Sequence, residues 1–208
     1  MQTRILAVSD VVDRLVYSDR IRDRFGDVDL VLSCGDLPAS YLDYIVSMLN
    51  VPLYGVRGNH DPRPGADEDE GTAFVDLQAR VVRVRGLFIA GLAGSPRYND
   101  GPNQYGEFGT RRQVARLMPA LLYNRLRFGR YLDILVTHAP PREVHDRPDR
   151  AHRGFATYRW FLRTFRPRYH LHGHVHVYTQ QTITRSRYCD TIVLNVYGHK
   201  TLCVGSEK

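Results

Sequence analysis

Lysine is nearly missing from this chain. Only Lys200 and Lys208 are lysines, so arginine supplies the rest of the 29 basic residues. Cysteine is scarce too: Cys34, Cys189 and Cys203 are odd in number and widely spaced. That excludes a disulfide framework and fits a reducing, cytoplasmic setting. Cys34 reads as a small core residue at a strand end. No apolar run approaches the roughly 20 residues of a membrane helix, so no membrane role is expected. The first residues, Met1 to Val8, lack the longer apolar region and cleavage site of a signal peptide and read as a strand. Internal repeats, low-complexity tracts and linkers are also missing, which leaves one domain over residues 1–208.

The chain carries a formal net charge of +7. A basic, arginine-dominated surface attracts anions: phosphate esters, nucleotides or nucleic acid. The arginines are scattered and no basic tract is interleaved with aromatics, so charge alone does not select nucleic acid. The acidic run from Gly65 to Gly71 reads as solvated surface.

Periodicity gives an alternating α/β order. Strands are expected over Arg4–Val8, Asp29–Ser33 and Val51–Val56, with a short helix within Arg14–Phe25. A second helix over Pro38–Asn50 carries Ala39, Leu42, Ile45, Val46 and Leu49 on one face. Short β runs follow at Phe74–Leu77, Val81–Val84 and Leu87–Leu92, with Arg85-Gly86 as a hairpin turn. Ala93–Tyr105 is rich in Gly, Pro, Asn and Asp and reads as a functional loop or a disordered one. A helix is expected over Thr110–Leu126, with Pro119 as a potential kink. Then come a strand at Tyr131–Val136, a charged loop at Arg142–His152, a helix at Phe155–Phe165 and a short strand at Arg168–Leu171. Further β runs are expected at Thr179–Thr184, Thr191–Val196 and Thr201–Val204.

Polar groups gather at the ends of these strands. They are Asp10, Asp36, Asn59, His138, His174 and His176. In a parallel sheet the strand C-termini share one edge, which is where ligands bind. Singly, each has an ordinary explanation: an Asp after a strand caps a turn, and a lone His is usually structural. Together they form a mixed set of carboxylate, amide and imidazole donors. Such a set suits Mn, Fe, Zn or Ni, and the lack of cysteine in it argues against a structural zinc site.

The order Ser9-Asp10, Cys34-Gly35-Asp36, Gly58-Asn59-His60-Asp61, Thr137-His138, Gly173-His174-Val175-His176 resembles the calcineurin-like metallophosphoesterase superfamily over nearly the whole chain. The resemblance implies a four-layer αββα sandwich of two mixed β-sheets flanked by helices. It implies two divalent transition metals, Mn favoured, bridged by Asp36. Asp10 and His176 would complete one site; Asn59, His138 and His174 would complete the other. It further implies hydrolysis of a phosphomonoester or phosphodiester by a metal-bridging hydroxide. His60 would assist the leaving group and Asp61 would orient the loop or His60.

One block departs from the family. Its usual Asp-x-His reads Asp10-Val11-Val12 here, so Val12 stands in place of a histidine ligand and the first metal site should be weak. Asp13 reads first as a solvated or capping residue, with a substitute ligand reached through a local turn as the alternative. The alternatives to a phosphoesterase are a degenerate member that acts as a scaffold, as the retromer subunit of this fold does, and a nuclease of the same superfamily. Arg57, Arg97 and His152 are candidate substrate contacts. The substrate expected is a phosphate-ester small molecule or nucleotide, with nucleic acid as a further candidate. His172 is a candidate support for the site, His170 reads as structural and His199 as surface.

Overall fold

The computed structural model describes residues 2–63 and 74–205. The acidic run Gly65–Gly71 lies outside the described residues.

The first half builds a parallel sheet. Strand β1 (Gln2–Ser9) leads through α1 (Ile21–Phe25) to β2 (Leu30–Ser33), and α2 (Ala39–Leu49) leads to β3 (Leu53–Gly55). Strand β4 (Phe74–Asp76) pairs in parallel with β3. The last strand, β13 (Gly198–Gly205), returns to pair antiparallel with β1 from Gln2↔Gly205 to Ser9↔Gly198. The sheet order is therefore β13-β1-β2-β3-β4.

The second half builds the other sheet. Strands β5 (Val81–Val84) and β6 (Leu87–Leu92) form a hairpin, and the two-residue strands β7 (Ser95–Pro96) and β8 (Gln104–Tyr105) tie the next loop together. Arg85 and Gly86 both take positive φ, 50° and 83°, at the hairpin turn the sequence predicts. Helix α3 (Glu107–Phe128), β9 (Ile134–Thr137), α4 (Ala156–Phe165), β10 (Tyr169–His172), β11 (Arg185–Tyr188) and β12 (Thr191–Asn195) complete it. Its order is β11-β12-β10-β9-β6-β5.

Three apolar layers define the expected sandwich. Ile5, Leu30, Leu32, Ile89, Ile134 and Val136 pack between the two sheets. Ile21, Tyr41, Leu42 and Ile45 pack α1 and α2 on the first sheet. Leu117, Leu121, Tyr158, Phe161 and Leu162 pack α3 and α4 on the second. Each fully buried Leu, Ile or Phe contributes about 1.5–3 kcal/mol of transfer free energy. These layers hold the strand ends rigidly, and the loops beyond them inherit that positioning.

Two elements differ from expectation for local reasons. The first helix is only Ile21–Phe25. Upstream, the Asp13 carboxylate accepts from Leu15 N at 2.8 Å, and the Asp13 carbonyl accepts from Val16 and Tyr17. Such side-chain-to-backbone bonds compete with a helix. As expected, α3 continues through Pro119. The proline sits on the exposed side of the helix, where the carbonyl freed by its missing N–H can be solvated. The β run expected at Thr179–Thr184 is a turn, closed by Thr182 N donating to Thr179 O at 3.2 Å. The strand lies just beyond, at Arg185–Tyr188, an edge strand whose two arginines hide it from an apolar pattern.

Candidate metal centre

The C-terminal ends of β1, β2, β3, β9 and β10 carry the candidate ligands, and both sheets present those ends on the same side. Asp10, Asp36 and His138 offer ligand atoms that all lie within 4.8 Å of one another. Asp10, Asp36 and His174 hold positive φ values of 67°, 58° and 66°. Asp and His tolerate this left-handed region better than most residues, and such strain gathers at functional sites. Two glycines let the loops close. A Cβ on Gly58 would stand 2.1 Å from Asp36 Oδ1, and one on Gly173 would stand 1.9 Å from Ser9 Oγ.

His138 is the best-defined donor. It is fully buried, and its Nδ1 lies 2.8 Å from the Cys34 carbonyl. A carbonyl only accepts, so Nδ1 carries a proton. In the neutral ring Nε2 then presents a lone pair. That nitrogen lies 3.1 Å from Asp36 Oδ2 and 3.1 Å from Asn59 Oδ1. Three acceptor atoms thus converge, which is repulsive unless a proton or a cation sits among them. In the metal-free chain a proton fills this role. Burial alone would lower the His138 pKa, but the Asp36 carboxylate outweighs it and raises the group to about 9. Burial would likewise raise Asp36, but the His138 charge and hydrogen bond and the His60 N–H bring it down to about 2. Two donors bound to one transition metal at about 2.1 Å each stand about 3–4 Å apart. The donor set therefore fits a divalent cation.

Other ligand candidates have fixed orientations. Asn59 Nδ2 donates to Tyr98 Oη at 3.0 Å, which turns its Oδ1 toward His138. His174 Nε2 lies 2.8 Å from the Ala151 carbonyl, so Nδ1 is its lone-pair nitrogen; its ring packs edge-on against His138 at 4.9 Å. Burial lowers its pKa to about 3 and keeps the ring neutral. On the other side, Asp10 accepts from His174 N at 2.9 Å. His176 Nε2 comes within 4.0 Å of Asp10 Oδ1, while its Nδ1 meets Tyr178 Oη at 3.1 Å. Val12 is 42% exposed and offers no donor. Asp13 does not replace it, because its carboxylate is bonded to His199 Nδ1 at 2.7 Å. His199, read from sequence as surface, is half-buried against Phe25 by that pairing.

The Gly58-Asn59-His60-Asp61 turn separates into distinct parts. The His60 backbone N–H donates to Asp36 Oδ1 at 2.8 Å and its side chain is exposed at the rim of the site. Asp61 accepts from Asp36 N at 2.8 Å, Gly58 N at 2.7 Å and Leu37 N at 3.2 Å. Its carboxylate ties together the two turns that carry the candidate ligands Asp36 and Asn59. Asn103 adds a second tie, donating to Gly58 O at 2.9 Å and Asp61 O at 3.0 Å.

The candidate substrate contacts diverge. Arg57 is buried, paired with Asp76 at 2.5 Å and stacked over Phe74. Arg97 is exposed on the loop that carries Tyr98. His152 bonds Asp149 at 2.9 Å and packs its ring against His174. His172 is buried beside the site, facing His145 at 3.0 Å, and His170 meets Thr137 Oγ1 at 2.8 Å. Sequence reasoning missed Tyr98, Asn103 and the Cys34 and Ala151 carbonyls. Only the loop composition around Tyr98 and Asn103 signalled them.

Two mixed sheets stacked between helix layers, with metal-type donors on the loops at one end, define the class. The sequence model of the calcineurin-like phosphoesterase family matches residues 3–178, and the chain belongs to that family. No curated protein matches it by sequence. Among solved structures it is similar to TT1561 of Thermus thermophilus, at 14% identity, with 100% of each chain covered and a TM-score of 0.65. It is also similar to the sulfate thiohydrolase SoxB of Thermus thermophilus in complex with glycerol, at 11% identity, covering 94% of this chain and 52% of that one, with a TM-score of 0.51. Identities this low speak for a shared fold alone. Among the described residues no helix is long and apolar enough to cross a membrane.

Proposed function

We propose that the chain is a metal-dependent phosphoesterase that hydrolyses a phosphomonoester or phosphodiester of a small molecule or nucleotide. The observation that supports this best is the meeting of His138 Nε2, Asp36 Oδ2 and Asn59 Oδ1 at 3.1 Å, with His138 Nδ1 committed to a carbonyl. Asp36, Asn59, His138 and His174 would hold one divalent cation; Asp10, Asp36 and His176 would hold a second, weaker one because Val12 brings no ligand. The cations would supply charge neutralisation at the phosphoryl oxygens and a lowered water pKa. The protein holds the acceptors in place by the Cys34, Tyr98 and Ala151 contacts. His60, exposed at the rim, would give a proton to the departing alkoxide, and histidine is the usual general acid near neutral pH.

The test is metal analysis of the purified protein followed by hydrolysis assays on p-nitrophenyl phosphate and bis-p-nitrophenyl phosphate with added Mn. At least one bound transition metal and metal-dependent turnover are expected. No turnover on either ester from pH 5 to 9, with metal bound, would favour the other reading, a scaffold of this fold. That reading rests on Val12, whose exposed side chain leaves one site short of a ligand. Cleavage confined to DNA or RNA would favour a nuclease.

A further inference from the structure

A cavity of about 330 Å³ opens between two loops, residues 93–105 and 142–154, and Arg97, Arg142, Arg150 and Arg153 line it. Arg142 is already engaged: it bonds the Gly154 carbonyl at 3.2 Å and Glu107 at 3.3 Å. Glu107 is engaged as well, since it accepts from Ala156 N at 2.8 Å and Thr157 Oγ1 at 2.6 Å at the start of α4. Arg97, Arg150 and Arg153 are exposed, and none has a carboxylate partner among the described residues. Glu107 lines the hollow too, but its oxygens are taken up by Arg142 and the start of α4, so the three exposed guanidinium groups outnumber the carboxylate facing them and repel one another. Such a cluster favours a multiply charged anion, and the planar fork of arginine matches phosphate oxygens.

Both walls of the hollow carry an arginine next in sequence to a residue that touches a candidate ligand. Arg97 precedes Tyr98, whose hydroxyl holds Asn59 at 3.0 Å. Arg150 precedes Ala151, whose carbonyl holds His174 at 2.8 Å. One residue step is about 3.8 Å between Cα atoms, so each arginine starts one step from a residue that touches a candidate ligand.

We infer that this arginine-lined hollow binds a second, uncleaved phosphate group, so that the preferred substrate is an ester carrying more than one phosphate. This rests on the phosphoesterase reading for the cleaved bond but not for the anion site. Two measurements separate them. The first is equilibrium dialysis of inorganic phosphate against the metal-stripped full chain, for the natural protein and for an Arg150→Gln/Arg153→Gln variant. Both arginines are exposed and make no side-chain hydrogen bond among the described residues, so the variant should fold. Binding to the natural protein is expected, weakened by about tenfold or more in the variant and partly restored in Arg150→Lys/Arg153→Lys. No binding, or equal binding by the Gln variant, overturns the site. The second measurement is phosphate release from adenosine diphosphate and adenosine monophosphate by the Mn-loaded protein. A KM at least about tenfold lower for the diphosphate, lost in the Gln variant with little change in kcat, is expected. Phosphate binding without that discrimination overturns the substrate assignment. Phosphate binding with no hydrolysis of any ester leaves the anion site standing and removes the phosphoesterase reading instead.

Discussion

Metal binding to the Asp36, Asn59, His138 and His174 set should expel one proton, and His138 is its source. In the metal-free chain His138 donates from both nitrogens, to the Cys34 carbonyl and to Asp36 and Asn59. Its pKa near 9 keeps that second proton in place at neutral pH. Asp36, near 2, is already ionised, and His174, near 3, is already neutral, so neither adds to the count. An incoming cation takes the place of the Nε2 proton. Apparent affinity for the first metal equivalent should then rise about tenfold per pH unit and level off above about pH 9. Between pH 6.5 and 8.5 that amounts to about a hundredfold. Titration calorimetry with Mn in two buffers of different ionisation enthalpy counts the proton directly, and equilibrium dialysis across that range gives the slope. A binding heat that ignores the buffer, together with an affinity flat between pH 6.5 and 8.5, would refute the assignment of His138 as a proton-filled ligand.

Four further outcomes follow from the same geometry. His60→Ala should lower kcat by about 10²–10⁴-fold while metal content stays constant, because the Asp36 contact uses the His60 backbone; elemental analysis beside kinetics checks both. Asp61→Ala leaves three backbone N–H groups without their acceptor and should cost about 2–4 kcal/mol in urea unfolding, with metal lost in parallel. Tyr98→Phe removes the acceptor that orients Asn59; metal affinity should fall by about tenfold or less, the worth of one hydrogen bond of about 0.5–1.5 kcal/mol, and dialysis reads it. The metal-free protein should also lose stability at high pH. The raised His138 pKa stabilises the fold fully below its ordinary value near 6.5, and that contribution fades as pH rises through about 9. Denaturant midpoints at pH 6 and 10, with and without Mn, show it.

Much of this molecule was legible from residue order because its signals are local. Leu30-Val31-Leu32 followed by Cys34-Gly35-Asp36 is a buried strand ending in a turn, and no distant residue is needed to read it. The α2 face of Leu42 and Ile45 is equally local, as is the Gly58-Asn59-His60-Asp61 turn. Parallel pairing then puts those turns on one edge by topology alone. The strand at Arg185–Tyr188 escaped notice because an edge strand need not be apolar.

The amino-acid order determined the layers, the order of the turns that carry the candidate ligands, and the departure from the family pattern at Val12. Tertiary structure decided how each donor is aimed. The Cys34 carbonyl sets which nitrogen of His138 is free, Tyr98 sets which end of Asn59 faces inward, and the Ala151 carbonyl does the same for His174. Asp13, one residue from the missing ligand, is taken by His199 across 186 positions of chain. The physical reason is the same in each case. A backbone carbonyl belongs to every residue, and a long-range contact has no spacing to read, so neither leaves a mark in the sequence.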